Sequence, residues 1–317
     1  MKILITGGTG FLGKHVVKKF QEAKYPALCI PDSKMLNLLD REATIKRLAI
    51  TGFKEGDVIL HMAAVCGGIL ANKNAPADFL HKNMDMTSTI FQAAKELGIK
   101  KIYTLGSVCA YPKFCPAPFK EDDLWNGYPE ETNAPYGMAK RLQLLMGQTY
   151  REQYGIGGAH LIPVNMYGEH DNFDPITSHV IPALIRKFDD SRYESGTPIV
   201  KLWGTGKATR EFLYAGDCAE AIVKAVLTGF DSPLPINLGT GKDIPIEDLA
   251  YLIRKLTDSR AIIQFTGEVS DGQPKRMLDV SRAKELLGWT AQTSFEEGLR
   301  RTIDWYQIQQ AKMDVYE

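Results

Sequence analysis

The chain has 317 residues, 38 basic and 38 acidic side chains, and a hydrophobic fraction of 44%. That length gives one large domain or two modest ones, and the composition is that of an ordinary soluble globular protein. Zero formal net charge removes the electrostatic case for nucleic acid or an anionic membrane as main partner, but not for a local basic pocket that takes phosphate. The five cysteines show no Cys-x-x-Cys, and there is neither an apolar run of about 18 residues nor a secretory leader. Reduced thiols, a cytoplasmic setting and no membrane span are expected.

In chain order, the first strand is predicted at 2–6, followed by a glycine-rich turn and an amphipathic helix near 11–24. Strands at 27–31, 58–62, 101–105 and 160–163 then alternate with helices near 40–50, 83–98 and 135–153. Short apolar runs without polar alternation read as strands buried on both faces, and helical crossovers between them imply a doubly wound parallel sheet. Beyond about 168 the rhythm changes. Segments 169–198 and 267–276 favour loops, with strands at 199–203, 236–238 and 261–265 and helices near 179–189, 216–229, 246–256 and 294–307. The expected architecture is α/β: a Rossmann-type sheet over 1–168 with a return segment near 211–240, and a smaller α/β lobe from 169–210 and 241–317.

Gly7-Gly8-Thr9-Gly10-Phe11-Leu12-Gly13 follows directly on the first strand. Such glycines allow a tight turn and let backbone N–H groups approach a pyrophosphate at the helix N-terminus. The spacing Gly7-x-x-Gly10-x-x-Gly13 differs from the general dinucleotide fingerprint, but its strand–turn–helix context supports the same use. A P-loop reading fails at its last position, where His15 replaces the Ser or Thr that would hold Mg²⁺. Asp32 ends the second strand where an acid would hold the ribose of NAD, while Ser33 and Lys34 beside it could hold a 2′-phosphate. All three could equally be turn residues.

Tyr136-Gly137-Met138-Ala139-Lys140 is the second signal. Asn133 can cap that helix, Pro135 suits its first turn, and i/i+4 spacing puts Tyr136 and Lys140 on one face. A nearby ammonium favours tyrosinate, so the phenol could exchange a proton with a substrate oxygen. Ser107 follows the strand at 101–105, at the carboxyl edge where ligands of parallel sheets bind.

Together, Gly7-x-x-Gly10-x-x-Gly13, Ser107 and Tyr136-x-x-x-Lys140 resemble the extended short-chain dehydrogenase/reductases over essentially the whole chain. The resemblance implies that Tyr136 is the acid/base, Lys140 also binds the nicotinamide ribose, and Ser107 orients a substrate carbonyl. Further strings narrow it: 63–69, 105–112, 167–173, 178–184 and 203–206. They are similar to the bifunctional 3,5-epimerase/4-reductases of that family, which turn GDP-4-keto-6-deoxy-D-mannose into GDP-L-fucose with NADPH. The generic family lacks Cys109 and His179 in these settings.

Those two residues fit the chemistry. A C4 ketone acidifies the protons at C3 and C5. Cys109 could act as a thiolate base if a cation lowers its pKa, and His179 could donate on the opposite face. The resemblance also places Leu105, Gly106, Pro163, Asn165, Met166 and His179 along NADPH. It places Lys187, Trp203, Arg210, Asp271 and, more weakly, Arg276 on the GDP-sugar. Lys187 stands where relatives often carry arginine, and Thr9 where some carry arginine near the 2′-phosphate.

The resemblance also implies a homodimer, formed through the helices at 83–98 and 135–153. The histidines show no metal-ligand spacing with the cysteines, and Tyr103, Tyr111 and Phe114 read as core or pocket wall. Alternatives are another nucleotide-sugar 4-reductase or 4-epimerase, or a dinucleotide-sensing binding protein. The intact Ser107, Tyr136 and Lys140 speak against the last.

Overall fold

A computed structural model describes residues 1–267 and 273–313. Its first half alternates β1 (Ile3–Thr6), α1 (Phe11–Glu22), β2 (Leu28–Cys29), α2 (Arg41–Ile50), β3 (Val58–His61), α3 (Ile69–Asn74), α4 (Pro76–Leu97), β4 (Lys101–Leu105), α5 (Ala134–Tyr154) and β5 (Gly157–Pro163). The second half comprises β6 (Asn165–Tyr167), α6 (Val180–Asp190), β7 (Ile199–Leu202), β8 (Thr209–Tyr214), α7 (Ala215–Leu227), β9 (Ile236–Leu238), β10 (Asp243–Pro245), α8 (Ile246–Leu256), β11 (Ile262–Phe265), β12 (Lys275–Arg276) and α9 (Phe295–Met313).

Six parallel strands form the main sheet in the order β2-β1-β3-β4-β5-β9. The strands are apolar along their whole length because helices cover both faces: all four residues of β1 and of β3 are buried. The chain leaves β1 toward β2 on one side and continues through β3 on the other. The crevice at the carboxyl ends of β1 and β3 is therefore the switch point of the topology.

A second sheet, β10-β8-β12 with β6 also on β8, and the pair β11-β7 form the other part of the molecule. Its own apolar cluster includes Ile181, Ile185, Phe188, Leu249, Ile253, Leu299 and Ile303. Strand β8 joins the two parts, with Leu213 in the main cluster and Phe212 in the second, and carries a buried polar group. Glu211 on β8 is wholly buried, and its carboxylate accepts from the backbone N–H groups of Gly241 at 2.7 Å and Leu278 at 2.6 Å.

Several sequence expectations are corrected. The fourth helix starts at Pro76 rather than near 83, because Pro76 occupies its first turn. β2 shrinks to two residues at the sheet edge, and β5 extends back to Gly157. Strands β6, β8, β10 and β12 were not expected; they are short, and long-range pairing with β8 rather than local pattern defines them. Asn133 occupies the cap position of α5 without capping it, since its amide donates to Glu130 and Thr132 instead. Phe114 is 88% exposed rather than core, whereas Tyr103 and Tyr111 are buried.

Candidate active site

The glycine turn is shaped by contacts that exclude side chains. Gly7 has φ +73°, and a Cβ there would lie 2.7 Å from the Ala63 nitrogen at the end of β3. A Cβ on Gly13 would collide with the backbone of Gly7 and Gly8. Gly10 caps α1 with no side-chain hydrogen bond. The first N–H groups of α1 therefore face the crevice with no side chain in front of them, which fits a pyrophosphate. Thr9, Phe11 and Leu12 complete the turn and the opening of the helix. At the end of β2, the Asp32 carboxylate is folded back onto the backbone N–H groups of Lys34 and Met35, at 2.9 and 2.8 Å. Ser33 and Lys34 remain exposed beside it.

Two strands away, β4 ends at Leu105 and Gly106, and Ser107 opens a single 3₁₀ turn, Val108–Ala110. The Cys109 N–H donates to Ser107 Oγ at 3.2 Å, so serine and cysteine are presented from one turn. Helix α5 lies against that turn at Gly137, where a Cβ would strike the Cys109 carbonyl. One residue earlier, Tyr136 is 8% exposed. Its hydroxyl lies within hydrogen-bonding reach of Ser107 and Cys66. Burial above all, reinforced by Cys66 and Cys109, holds the phenol protonated well above its ordinary range. That corrects the expectation of a tyrosinate: the Lys140 Nζ stands 5.7 Å from the ring centroid of Tyr136, and desolvation outweighs it.

Lys140 is 4% exposed. Its Nζ donates to Gln143 Oε1 at 3.4 Å, and Gln143 in turn donates to Thr87 at 3.2 Å. Burial brings the ammonium down to about 8. Beneath it runs a ladder that the strand register aligns: Thr6 pairs with His61, His61 with Thr104, and Thr104 with His160. Both imidazoles bond the neighbouring threonine hydroxyl through Nδ1 at 2.8 Å. Burial, with a smaller push from the Lys140 charge, pulls both histidines down to about 3. They are neutral supports under a cation. A Cβ on Gly106 would lie 2.6 Å from His160 Nε2, so glycine follows β4 for want of room.

The opposite wall comes from the second half of the chain. The carbonyls of Thr177 and Ser178 lie close to where a Cβ on Gly68 would stand, which seats the loop before His179 on the loop carrying Cys66. His179 caps α6 without a side-chain bond and is exposed. Asp171 in the same loop is 9% exposed, and one of its carboxylate oxygens has no partner. Burial, offset in part by the Asn172 N–H and the nearby His179, raises its carboxyl to about 6.

Along α6, the Lys187 Nζ donates to the Lys201 carbonyl of β7 at 3.1 Å, and Trp203 beyond β7 is 71% exposed. Arg210 on β8 donates to the Gln273 carbonyl at 2.7 Å. Arg276 on β12 directs Nη1 at Cys109 Sγ from 3.9 Å, nearer the catalytic turn than a purely substrate-facing residue would be. Pro163, Asn165 and Met166 lie at the carboxyl end of β5 and on β6, with the Asn165 amide donating to the Glu211 carbonyl at 3.0 Å. Asp271 lies outside the described residues.

Sequence reading singled out neither Cys66, Asp171, Gln273 nor the His61–His160 ladder. Cys66 follows shortly on a strand end, the same positional signal that selects Ser107. Asp171 and Gln273 had no such signal; distant segments bring them in.

A strand–glycine–helix crevice, a Ser/Tyr/Lys set at the sheet edge and a second lobe beside it define a nucleotide-dependent epimerase or dehydrogenase. The chain belongs to the NAD dependent epimerase/dehydratase family, whose model matches residues 3–239. It is similar to the GDP-L-fucose synthase of Escherichia coli (strain K12), at 36% identity over 96% of each chain. Among solved structures it is similar to a Campylobacter jejuni GDP-6-OMe-4-keto-L-xylo-heptose reductase, with a TM-score of 0.89 and 26% identity, covering 97% of this chain and 98% of that one. A GDP-L-fucose synthetase from Naegleria fowleri bound to NADP follows at a TM-score of 0.85 and 26% identity, covering 98% and 94%.

Proposed function

We propose that this chain converts GDP-4-keto-6-deoxy-D-mannose to GDP-L-fucose, inverting C3 and C5 and reducing C4 with NADPH. One observation carries the reading: Cys109 shares its turn with Ser107 and meets Tyr136, so a thiol stands beside the place a ketone oxygen would occupy. A plain reductase has no use for it. The resemblance to the Escherichia coli synthase along both chains supports the same substrate.

Ser107 and Tyr136 donate to the C4 oxygen and stabilise the enolate that forms when a neighbouring proton leaves. Cys109 takes that proton, and His179, reaching in from the other wall, returns one to the opposite face. The sequence repeats at the second centre. NADPH, when bound, supplies the hydride for C4. Tyr136 supplies the proton to oxygen, a role that a phenol held protonated by burial suits. Lys140, a cation between the neutral histidines and Tyr136, holds the nicotinamide ribose.

The turn Gly7–Gly13 with Gly8, Thr9, Gly10, Phe11 and Leu12 fits the pyrophosphate, and Leu105, Gly106, Pro163, Asn165 and Met166 line the nicotinamide side. Exposed Ser33 and Lys34 beside a carboxylate already bonded to backbone N–H groups favour a 2′-phosphate. Lys187, Arg210 and exposed Trp203 are the candidates for the GDP-sugar; Asp271, the remaining candidate, lies outside the described residues.

The reading divides the chain into a dinucleotide lobe at 1–168, completed near 211–240, and a sugar lobe from 169–210 and 241–317; the apolar clusters follow this in the main, but Leu278, Ala283, Leu287 and Trp289 pack with the first lobe and Tyr167, Phe212 and Tyr214 with the second. Exposed Met84 on α4 and Leu145 on α5 support a homodimer through those helices. Five free cysteines support a cytoplasmic setting, and no helix among the described residues is long and apolar enough to cross a membrane.

The test is incubation with GDP-4-keto-6-deoxymannose and NADPH in D₂O, following loss of cofactor absorbance and locating deuterium in the product. Deuterium at both C3 and C5 with NADPH oxidation is the expected result. Oxidation without exchange leaves a plain 4-reductase. The absence of both removes this substrate.

A further inference from the structure

The cation that a cysteine base requires comes from the far end of the chain. Arg276 Nη1 points at Cys109 Sγ from 3.9 Å, and the guanidinium is anchored on its other side. Its Nε donates to Gln273 Oε1 at 2.8 Å. Gln273 is 7% exposed, and its amide donates to the carbonyls of Pro112 and Lys113 at 3.1 and 2.6 Å. Those carbonyls continue the very segment that carries Ser107 and Cys109. The same strand is registered on β8 by the pairing of Arg276 with Arg210. A guanidinium is thus held against the catalytic turn by contacts that do not involve substrate.

We infer that Arg276 is the positioning residue for Cys109, donating to its sulfur and aiming it at the carbon beside the sugar ketone. The inference rests on the reaction proposed above. An arginine N–H donating to sulfur favours thiolate over thiol, and a thiolate is the form that can remove a carbon-bound proton. Among the described residues, Arg276 from β12 is the cation that meets the sulfur, and Tyr136 of α5 is close enough for Cys109 to push its phenol up. Tyr136 is neutral, so the charge that can balance the sulfur comes from Arg276. In the step itself the S–H bond forms as the C–H bond breaks, and the C–H electron pair moves into the enolate. Before the second centre reacts, the thiol releases its proton to solvent water and His179 takes one up from solvent, so each inversion returns both groups to their starting forms and no oxidant or reductant takes part. This assigns Arg276 to the epimerase half of the chemistry rather than to phosphate binding.

Iodoacetamide in the absence of sugar provides the test, with the Cys109 and Cys66 peptides followed separately by mass spectrometry. In the parent protein, the alkylation rate of Cys109 at pH 7 is compared with its rate at pH 9. In Arg276→Met the ratio of those two rates should fall about tenfold, as expected for loss of a charge-assisted hydrogen bond, while the Cys66 ratio stays the same. Arg276→Lys should restore part of it. Gln273→Ala, which frees the guanidinium without removing charge, should lower C3 and C5 exchange more than it raises KM for the GDP-sugar; it also serves if Arg276→Met fails to fold. An unchanged Cys109 ratio in Arg276→Met overturns the inference. So does a raised KM with unaltered kcat and exchange, which would make Arg276 a phosphate ligand. Because alkylation uses no sugar, a protein inactive on GDP-4-keto-6-deoxymannose would sink the functional reading and leave this result to stand or fall separately.

Discussion

The two walls of the crevice are built on different principles. The wall formed by β4 and α5 is buried: Tyr136 and Lys140 are 8% and 4% exposed, and a Thr–His ladder supports them from below. The wall formed by α6 and β7 is open, with His179 unbonded at a helix start and Trp203 71% exposed. Burial raises the Tyr136 phenol and lowers the Lys140 ammonium, setting protonation states before any ligand arrives. The difference teaches that protonation states are set in advance on the buried side, whereas the exposed side presents side chains that burial does not constrain.

That contrast can be broken by substitution. Tyr136→Phe should cost the most, about 10³-fold in single-turnover reduction of C4, because the phenol is the acid held within reach of Ser107. An effect on KM alone would move Tyr136 to the recognition side. Cys109→Ser should lower deuterium incorporation at C3 and C5 by about 10²-fold, with NADPH affinity unchanged by fluorescence titration. If exchange is unaffected, Cys109 is not the base.

On the open wall, Trp203→Ala should raise KM for the GDP-sugar about tenfold and spare kcat, the magnitude of a lost base stack. A kcat effect would erase the distinction between the walls. Smaller changes come from pH. The Lys140 ammonium loses its proton as pH rises through about 8, so KM for NADPH should climb severalfold above that pH, and Lys140→Arg should remove the dependence. His61 and His160 have folded values near 3, below the ordinary 6.5. Folding favours their neutral forms, so their contribution is complete above pH 6.5 and declines as pH falls toward 3. Thermal unfolding against pH should show this as a drop in Tm across that window, reduced in His160→Gln.

The residues differ in how readable they were. Ser107, Tyr136 and Lys140 stand where local pattern alone puts them, on a strand end and one helix face. The same holds for Gly7 and Gly13. Arg276 was readable only as a basic residue near the end of a loop, because its approach to Cys109 depends on β12 pairing with β8 and on Gln273 reaching the Pro112 carbonyl. The tyrosinate expected from Lys140 failed for a related reason: charge can be read along a helix, but desolvation cannot.

The sequence by itself determined the parallel sheet, the glycine turn and the family, since each follows from short-range periodicity and from residues that only one backbone shape accepts. Tertiary structure alone decided which groups are charged and which cation meets which base. Those depend on burial and on contacts between segments more than a hundred residues apart, as Arg276 and Cys109 are. Global neutrality therefore says nothing about the crevice, where the fold gathers Lys140 and Arg276 around a protonated phenol and a sulfur.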